Sequence, residues 1–244
     1  MRLLFSACVI LVALVCTSCN FSEELTLKDD GSGRLAMKFD GSELLKMTGG
    51  TNSEGSPGKT MDSIISFKEL LESKKDSIAQ LPPEEQARLM KLENFNLHMI
   101  MNEEAGDMKI NMFTDFEKVA ELSDAFSAFQ NAGAFGNQQT KKSSFSTVDA
   151  TETSYTFVKN KFTRTSKILD YELLEKNVDS LGKMELFLGS STYKLVYHFP
   201  KPVKSVSKKG TLYSEDRKTI TIEVPFIDYM RDPEILNIEV ELEK

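Results

Sequence analysis

Two histidines, His98 and His198, are the only imidazoles in the chain, and each falls on the polar phase of an alternating run, in ENFNLHMIM and STYKLVYHF. A metal pair or an acid–base couple needs them adjacent in the fold with a carboxylate beside them. Nothing in their spacing enforces that, so both read as exposed strand histidines. Ser-x-x-Lys recurs at Ser56, Ser180, Ser191 and Ser205, but without the companion motifs that make the pattern a nucleophile and its base. HExxH and GxSxG are absent. Gly58, Lys59 and Thr60 match the end of a phosphate-binding loop, yet Ser53 stands where its first glycine belongs and no buried strand leads in, so the segment reads as a flexible loop. With 37 acidic residues, no pair of carboxylates is singled out. The expectation is a protein with no catalytic residues, no metal site and no cofactor.

The cysteines say more. Cys8, Cys16 and Cys19 are the only three, and they lie in or just after LLFSACVILVALVC, an apolar run that follows Arg2. The run is shorter than the roughly 20 residues that span a bilayer and has the layout of a secretory signal peptide. It ends on Thr17 and Ser18 directly before Cys19, which resembles the lipobox of bacterial lipoproteins, with Cys16 where Leu is usual. That resemblance implies a signal peptide over 1–18, an acylated Cys19 (palmitate or a similar chain), and a lipoprotein of the cell envelope on the outer membrane, at its periplasmic face or the cell surface. Residues 19–24 read as the acylated tether. Ser22, Glu23 and Glu24 resemble the acidic tethers that direct some lipoproteins to the surface.

Cleavage before Cys19 leaves no free thiol, which excludes disulfides, thiolate-held metals and thiol catalysis. It also removes Arg2, leaving 29 basic against 37 acidic side chains, a net charge of −8. Such a surface repels nucleic acid and anionic headgroups. The membrane is therefore a partner through the lipid, and any other partner is an unidentified envelope protein.

The elements that carry these residues read as a single domain over 25–244. EELTLKDDGSGRLAMKF is a hairpin turning at Asp29 to Gly33. A mobile loop is expected near 48–60. Residues 61–91 read as two amphipathic helices, the first carrying Ile64, Ile65, Phe67, Leu70 and Leu71, the second opened by Pro82 and Pro83. Phe95 to Met112 form a second hairpin. Thr114 and Glu117 have capping-box spacing ahead of Phe116, Val119, Leu122, Phe126 and Phe129, predicting a helix over 115–130. A second mobile loop is expected near 131–145. TSYTFVKNKFTRTS reads as a hairpin or a bulged strand, Tyr171 to Asp179 as a short helix, and STYKLVYHF, KTITIEV and LNIEVELEK as strands, the last with Leu236, Ile238, Val240 and Leu242 facing inward. The fold class is α+β, a mostly antiparallel sheet with hairpins packed by three to four helices.

LTLKDDGSGRLAMKF directly after the cysteine, with the late YKLVYHFPKPV, resembles the LppM-type domain of bacterial lipoproteins. This implies an envelope-anchored α+β module and carries over no active-site residues. The functional expectation is a non-catalytic, lipid-anchored module that binds or scaffolds. The alternative is a carrier of a hydrophobic ligand in an apolar cavity lined by Met99, Met101, Met112, Phe126 and Phe129, because methionine-rich surfaces adapt to varied apolar shapes. An envelope hydrolase ranks third. Asp-Ser-apolar triplets at Ser63, Ser77 and Ser180 resemble an O-glycosylation acceptor, against a reading as solvated helical faces.

Overall fold

The structure, a computed structural model, describes residues 20–47, 60–122, 150–180 and 188–244. Among these, twelve strands form two sheets: β1 (Asn20–Leu27), β2 (Gly33–Asp40), β3 (Thr60–Ser66), β4 (Asn96–Asn102), β5 (Asp107–Phe116), β6 (Thr151–Val158), β7 (Lys161–Ile168), β8 (Thr192–His198), β9 (Val203–Val206), β10 (Leu212–Tyr213), β11 (Thr219–Pro225) and β12 (Ile238–Leu242). The larger sheet runs β10-β11-β8-β1-β2-β5-β4-β3 and the smaller β6-β7-β12-β9. Every pair is antiparallel except β1 with β8, so the fold is α+β with mostly antiparallel sheets. Short helices complete it: α1 (Ser42–Met47), α2 (Phe67–Ser73), α3 (Lys75–Ile78), α4 (Pro83–Met90), α5 (Tyr171–Ser180) and α6 (Phe226–Arg231).

Period-two alternation builds the larger sheet. Phe21, Leu25 and Leu27 on β1, Leu35, Met37 and Phe39 on β2, and Tyr193, Leu195 and Tyr197 on β8 all point to one buried face. The opposite face meets water and carries ion pairs such as Lys38 with Glu24 and Lys194 with Glu223. The smaller sheet covers the buried face: the Phe162 ring stands edge-on to Tyr197 at 5.4 Å, and both belong to one continuous apolar core. The first hairpin turns where expected, with Gly31 at φ 84° and the Asp30 carboxylate accepting from Ser32. Gly33 is required by a close approach, since a Cβ there would lie 2.0 Å from the Thr26 carbonyl oxygen and 2.7 Å from the Phe116 ring.

Three expectations are corrected. The tether expected over 19–24 is not one beyond Cys19: from Asn20 onward the chain is already strand β1, with β8 on one side and β2 on the other. The period-two phase of Leu25 and Leu27 runs back through Phe21 and takes Glu23 inward with it. The first helix expected from Met61 is instead β3, hydrogen-bonded along β4, with α2 beginning only at Phe67 under an N-cap by Ser66. Ile64 and Ile65, expected on one helical face, point to opposite faces of the sheet; a short apolar run fits either period and the β4 ladder decides. The second helix does open at Pro83.

The helix expected over 115–130 is also overturned at its start. Thr114 to Phe116 are the end of β5, followed by a 3-10 turn at Val119–Glu121. Thr114 does not cap; its hydroxyl donates to the Asn94 carbonyl at 2.8 Å. Phe116 and Val119 are buried as the pattern demanded, but as a strand end and a turn. Residues 123–130, with Phe126 and Phe129, lie outside the described residues, as do the lipidation position Cys19, the loop expected near 131–145 and, up to residue 59, the one expected near 48–60, whose Thr60 already begins β3.

Candidate functional site

The inward phase of β1 delivers a carboxylate into the core. Glu23 is 1% exposed, in line with Phe21, Leu25 and Leu27. Four residues from three other strands converge on it. From β6, the Tyr155 hydroxyl donates to Oε1 at 2.9 Å; from β8, the Tyr193 hydroxyl donates to Oε2 at 3.0 Å and the Tyr197 hydroxyl to Oε1. From β7, Arg164 lays its guanidinium alongside, Nε to Oε1 at 3.4 Å and Nη2 to Oε2 at 3.3 Å. The remaining Arg164 nitrogen donates to Ser166 Oγ at 2.9 Å and to the Leu236 carbonyl at 3.3 Å. Ser166 Oγ lies 2.9 Å from Thr153 Oγ1 within the smaller sheet, and the contacts of Tyr155 and Arg164 with Glu23 carry the network across to the larger one.

Buried charges persist only when paired and hydrogen-bonded, and this one is. Burial pulls the Arg164 guanidinium down most strongly, but the facing Glu23 together with the Tyr197, Tyr155 and Tyr229 phenols outweighs it and holds the group well above its ordinary value. Burial, reinforced by the Glu23 charge, pushes the Tyr193 and Tyr197 phenols well above theirs; at Tyr193 the Tyr229 ring stacked at 4.0 Å adds to this. Every oxygen of Glu23 is occupied by a protein donor. The arrangement locks two sheets together and leaves no lone pair free to take a substrate proton.

The residues singled out for chemistry are not brought together. His98 Nε2 lies 2.7 Å from Asp62 Oδ1 on the solvent face of β4 and β3, and His198 Nδ1 lies 2.9 Å from Thr219 Oγ1 on β8 and β11. Strands β5, β2 and β1 separate them, a distance of about 19 Å at ordinary strand spacing. Ser191 is buried with no hydrogen-bond partner for its hydroxyl, while Lys194 stands on the other face of β8 paired with Glu223. Lys208 donates to the Ile235 carbonyl rather than toward Ser205. Among the described residues no cluster of three or more His, Cys, Asp or Glu side chains could hold a metal ion.

The expected apolar ligand surface divides. Met112 is 0% exposed and packed in the core beside Met37, its partner on β2. Met99 packs against the core from a half-buried position, and Met101 is half-buried on the same strand, near the sheet edge. Concave surface occurs away from these methionines: a cleft of about 590 Å³ at the end of β5 lined by Phe95, Thr114, Phe116 and Leu122, and a groove of about 520 Å³ between α2, α3 and α4 with Leu71, Ile78, Ala79 and Met90 as its apolar lining.

The three acceptor serines differ as well. Ser63 is on β3, half-buried and facing Met99, not on a solvated helix. Ser77 is exposed on α3, and Ser180 closes α5.

The Glu23 network escaped sequence reading because an acidic residue four positions after a candidate lipid cysteine reads as part of a tether. The available signal was phase: Glu23 alternates with Phe21 and Leu25, and Arg164 with Phe162 and Ser166.

No family model matches the chain, and no curated protein matches it. Among solved structures it is similar to the NMR structure of the folded domain of LppM from Mycobacterium tuberculosis, at 9% identity and a TM-score of 0.36, over 92% of this chain and 89% of that one. A similarity that low says nothing about activity. No helix among the described residues is long and apolar enough to cross a membrane.

Proposed function

We propose that the protein is a lipid-anchored protein of the bacterial cell envelope, held to the outer membrane through Cys19, whose domain binds or scaffolds an envelope partner without catalysing a reaction. The observation that carries this reading is the start of β1. One peptide bond, about 3.8 Å between Cα atoms, separates Cys19 from the first residue of a strand lying between two others in the larger sheet. Acyl chains on Cys19 join the bilayer to the core with no spacer, so the whole domain is positioned by its anchor. A module that presents a fixed surface at a membrane has this construction; an enzyme that must reach its substrate gains from a long tether.

The saturated Glu23 network supports the non-catalytic part, since the buried ionisable groups are consumed in joining the sheets. The fully buried Met112 supports a solid core over a carrier's cavity. The test is intact-mass analysis and vesicle flotation of the full chain beside Cys19→Ser. The reading expects an acylated N-terminus and flotation for the natural chain, loss of both in the variant, and a specific partner on in-cell crosslinking of the anchored form. An unmodified N-terminus on the natural chain overturns it.

A further inference from the structure

The anchored reading leaves open which surface of the domain meets the bilayer, and strand directions answer it. Asn20 pairs with Thr192 at the start of β8, and Thr192 pairs with Pro225 at the end of β11, where α6 begins. Phe226, the first residue of α6, stacks on Phe21 at 4.0 Å, so α6 lies at the anchor end of the larger sheet. In the smaller sheet β7 runs the opposite way to β1. Its Phe162 touches Phe199, beyond the far end of β8, and its Arg164 meets Glu23. Its last residue, Ile168, therefore lies toward the anchor, and helix α5, which follows it, packs on α6.

The corner between β7 and α5 exposes two large apolar side chains, Leu169 at 59% and Tyr171 at 70%. They are held on a rigid turn. The Leu169 and Asp170 amides both donate to the Ala150 carbonyl, at 2.7 and 3.2 Å, and the Asp170 carboxylate accepts from the Leu173 amide at 2.9 Å. Most of each side chain lies outside the fold, so that apolar surface stays in water unless something covers it. Leucine inserts favourably into the interfacial layer, and tyrosine is enriched there with its ring in the apolar zone and its hydroxyl in water.

We propose that Leu169 and Tyr171 are a second, interfacial contact with the bilayer that carries the Cys19 anchor. The proposal rests on the lipid-anchored reading, because the anchor is what brings this end of the domain to the membrane. Asp170 and Glu172 beside the pair make the contact apolar rather than electrostatic, so it does not require anionic lipid.

The chain has no tryptophan, so one substitution supplies an unambiguous reporter. Tyr171→Trp is placed in the acylated full chain on phosphatidylcholine vesicles. Val158→Trp serves as the comparison: Val158 is 63% exposed at the end of β6 away from the anchor. Brominated acyl chains should quench Tyr171→Trp by about half, with a blue-shifted emission, since an interfacial side chain sits about 5–10 Å deep. Val158→Trp should stay red-shifted and open to aqueous acrylamide. Leu169→Trp, read the same way, stands in if Tyr171→Trp folds poorly. Vesicle-bound protein whose tryptophan at 171 or 169 behaves like that at 158 overturns this contact alone. A chain that carries no acyl group and does not float overturns both this contact and the anchored reading.

Discussion

The Arg164 guanidinium and the Glu23 carboxylate meet at 3.3 Å with both side chains 1% exposed, joining the middle of the larger sheet to the smaller one. A pair so enclosed contributes most through what its loss leaves behind. Glu23→Gln should destabilise the domain by about 3–5 kcal/mol, because an uncompensated guanidinium stays buried. The double variant Glu23→Leu with Arg164→Met removes both charges and should recover part of that loss, the Tyr155, Tyr193 and Tyr197 hydroxyls being left without their acceptor. Urea unfolding of Glu23→Gln and of the double variant checks it; a double variant at least as unstable as Glu23→Gln would show that removing both charges recovers nothing and that the pair contributes net stability.

The buried phenols make stability fall in alkali. Tyr193 and Tyr197 have folded-state pKa values well above the ordinary value of 10.0. Their contribution is fully present below about pH 10, where the unfolded chain is also protonated. It is lost progressively as the unfolded phenols ionise above that pH, until the folded-state values are reached. Titration followed by tyrosinate absorbance should show the buried phenols ionising only together with loss of circular dichroism. Six phenols ionising in one simple transition without unfolding would contradict the network.

At Gly33 the chain tolerates no side chain. A Cβ would stand 2.0 Å from the Thr26 carbonyl oxygen and 2.7 Å from the Phe116 ring, and the nearer obstacle is backbone. Gly33→Ala should cost about 1–3 kcal/mol as overpacking, whereas Gly31→Ala, with open space around its Cβ, pays only for its positive φ. Thermal melts of the two variants compare them directly.

Met112 and Met101 separate a solid core from a ligand cavity. Met112→Ala should cost about 2–5 kcal/mol as an ordinary core truncation, and Met101→Ala, half-buried near the sheet edge, distinctly less. Neither should alter binding of an apolar dye by the folded protein. Saturable dye binding abolished by Met112→Ala at unchanged melting temperature would favour the carrier.

Local pattern determined much of this molecule. The hairpins at β1–β2, β4–β5 and β6–β7 were legible because each is a period-two run closed by residues suited to a turn, as at Asp30 and Gly31 or Gly106. The strands β8, β11 and β12 and the helix at Tyr171 were legible for the same reason: one period dominates over enough residues to exclude the other. The absence of candidate thiol chemistry after Cys19 is composition alone. Where the pattern was short the sequence left two periods open. Ile64 and Ile65 fit a helix face as well as a strand, and the hydrogen-bonded ladder with β4 settled it; Thr114 and Glu117 had the spacing of a cap, while Thr114 belongs to β5 and Glu117 lies in the bend just after it.

The remaining decisions are non-local. Nothing in either segment announces that Asn20 to Thr26 pairs in parallel with Thr192 to His198, since partners so far apart along the chain are selected by closure of the whole sheet. The same closure turned a presumed tether into an interior strand. It put Glu23 in reach of Tyr155, Arg164, Tyr193 and Tyr197, four residues that share no motif and meet only when the two sheets stack. Sequence alternation states which way a side chain points; only the packed sheets supply the donors that make it tolerable for a carboxylate to point inward.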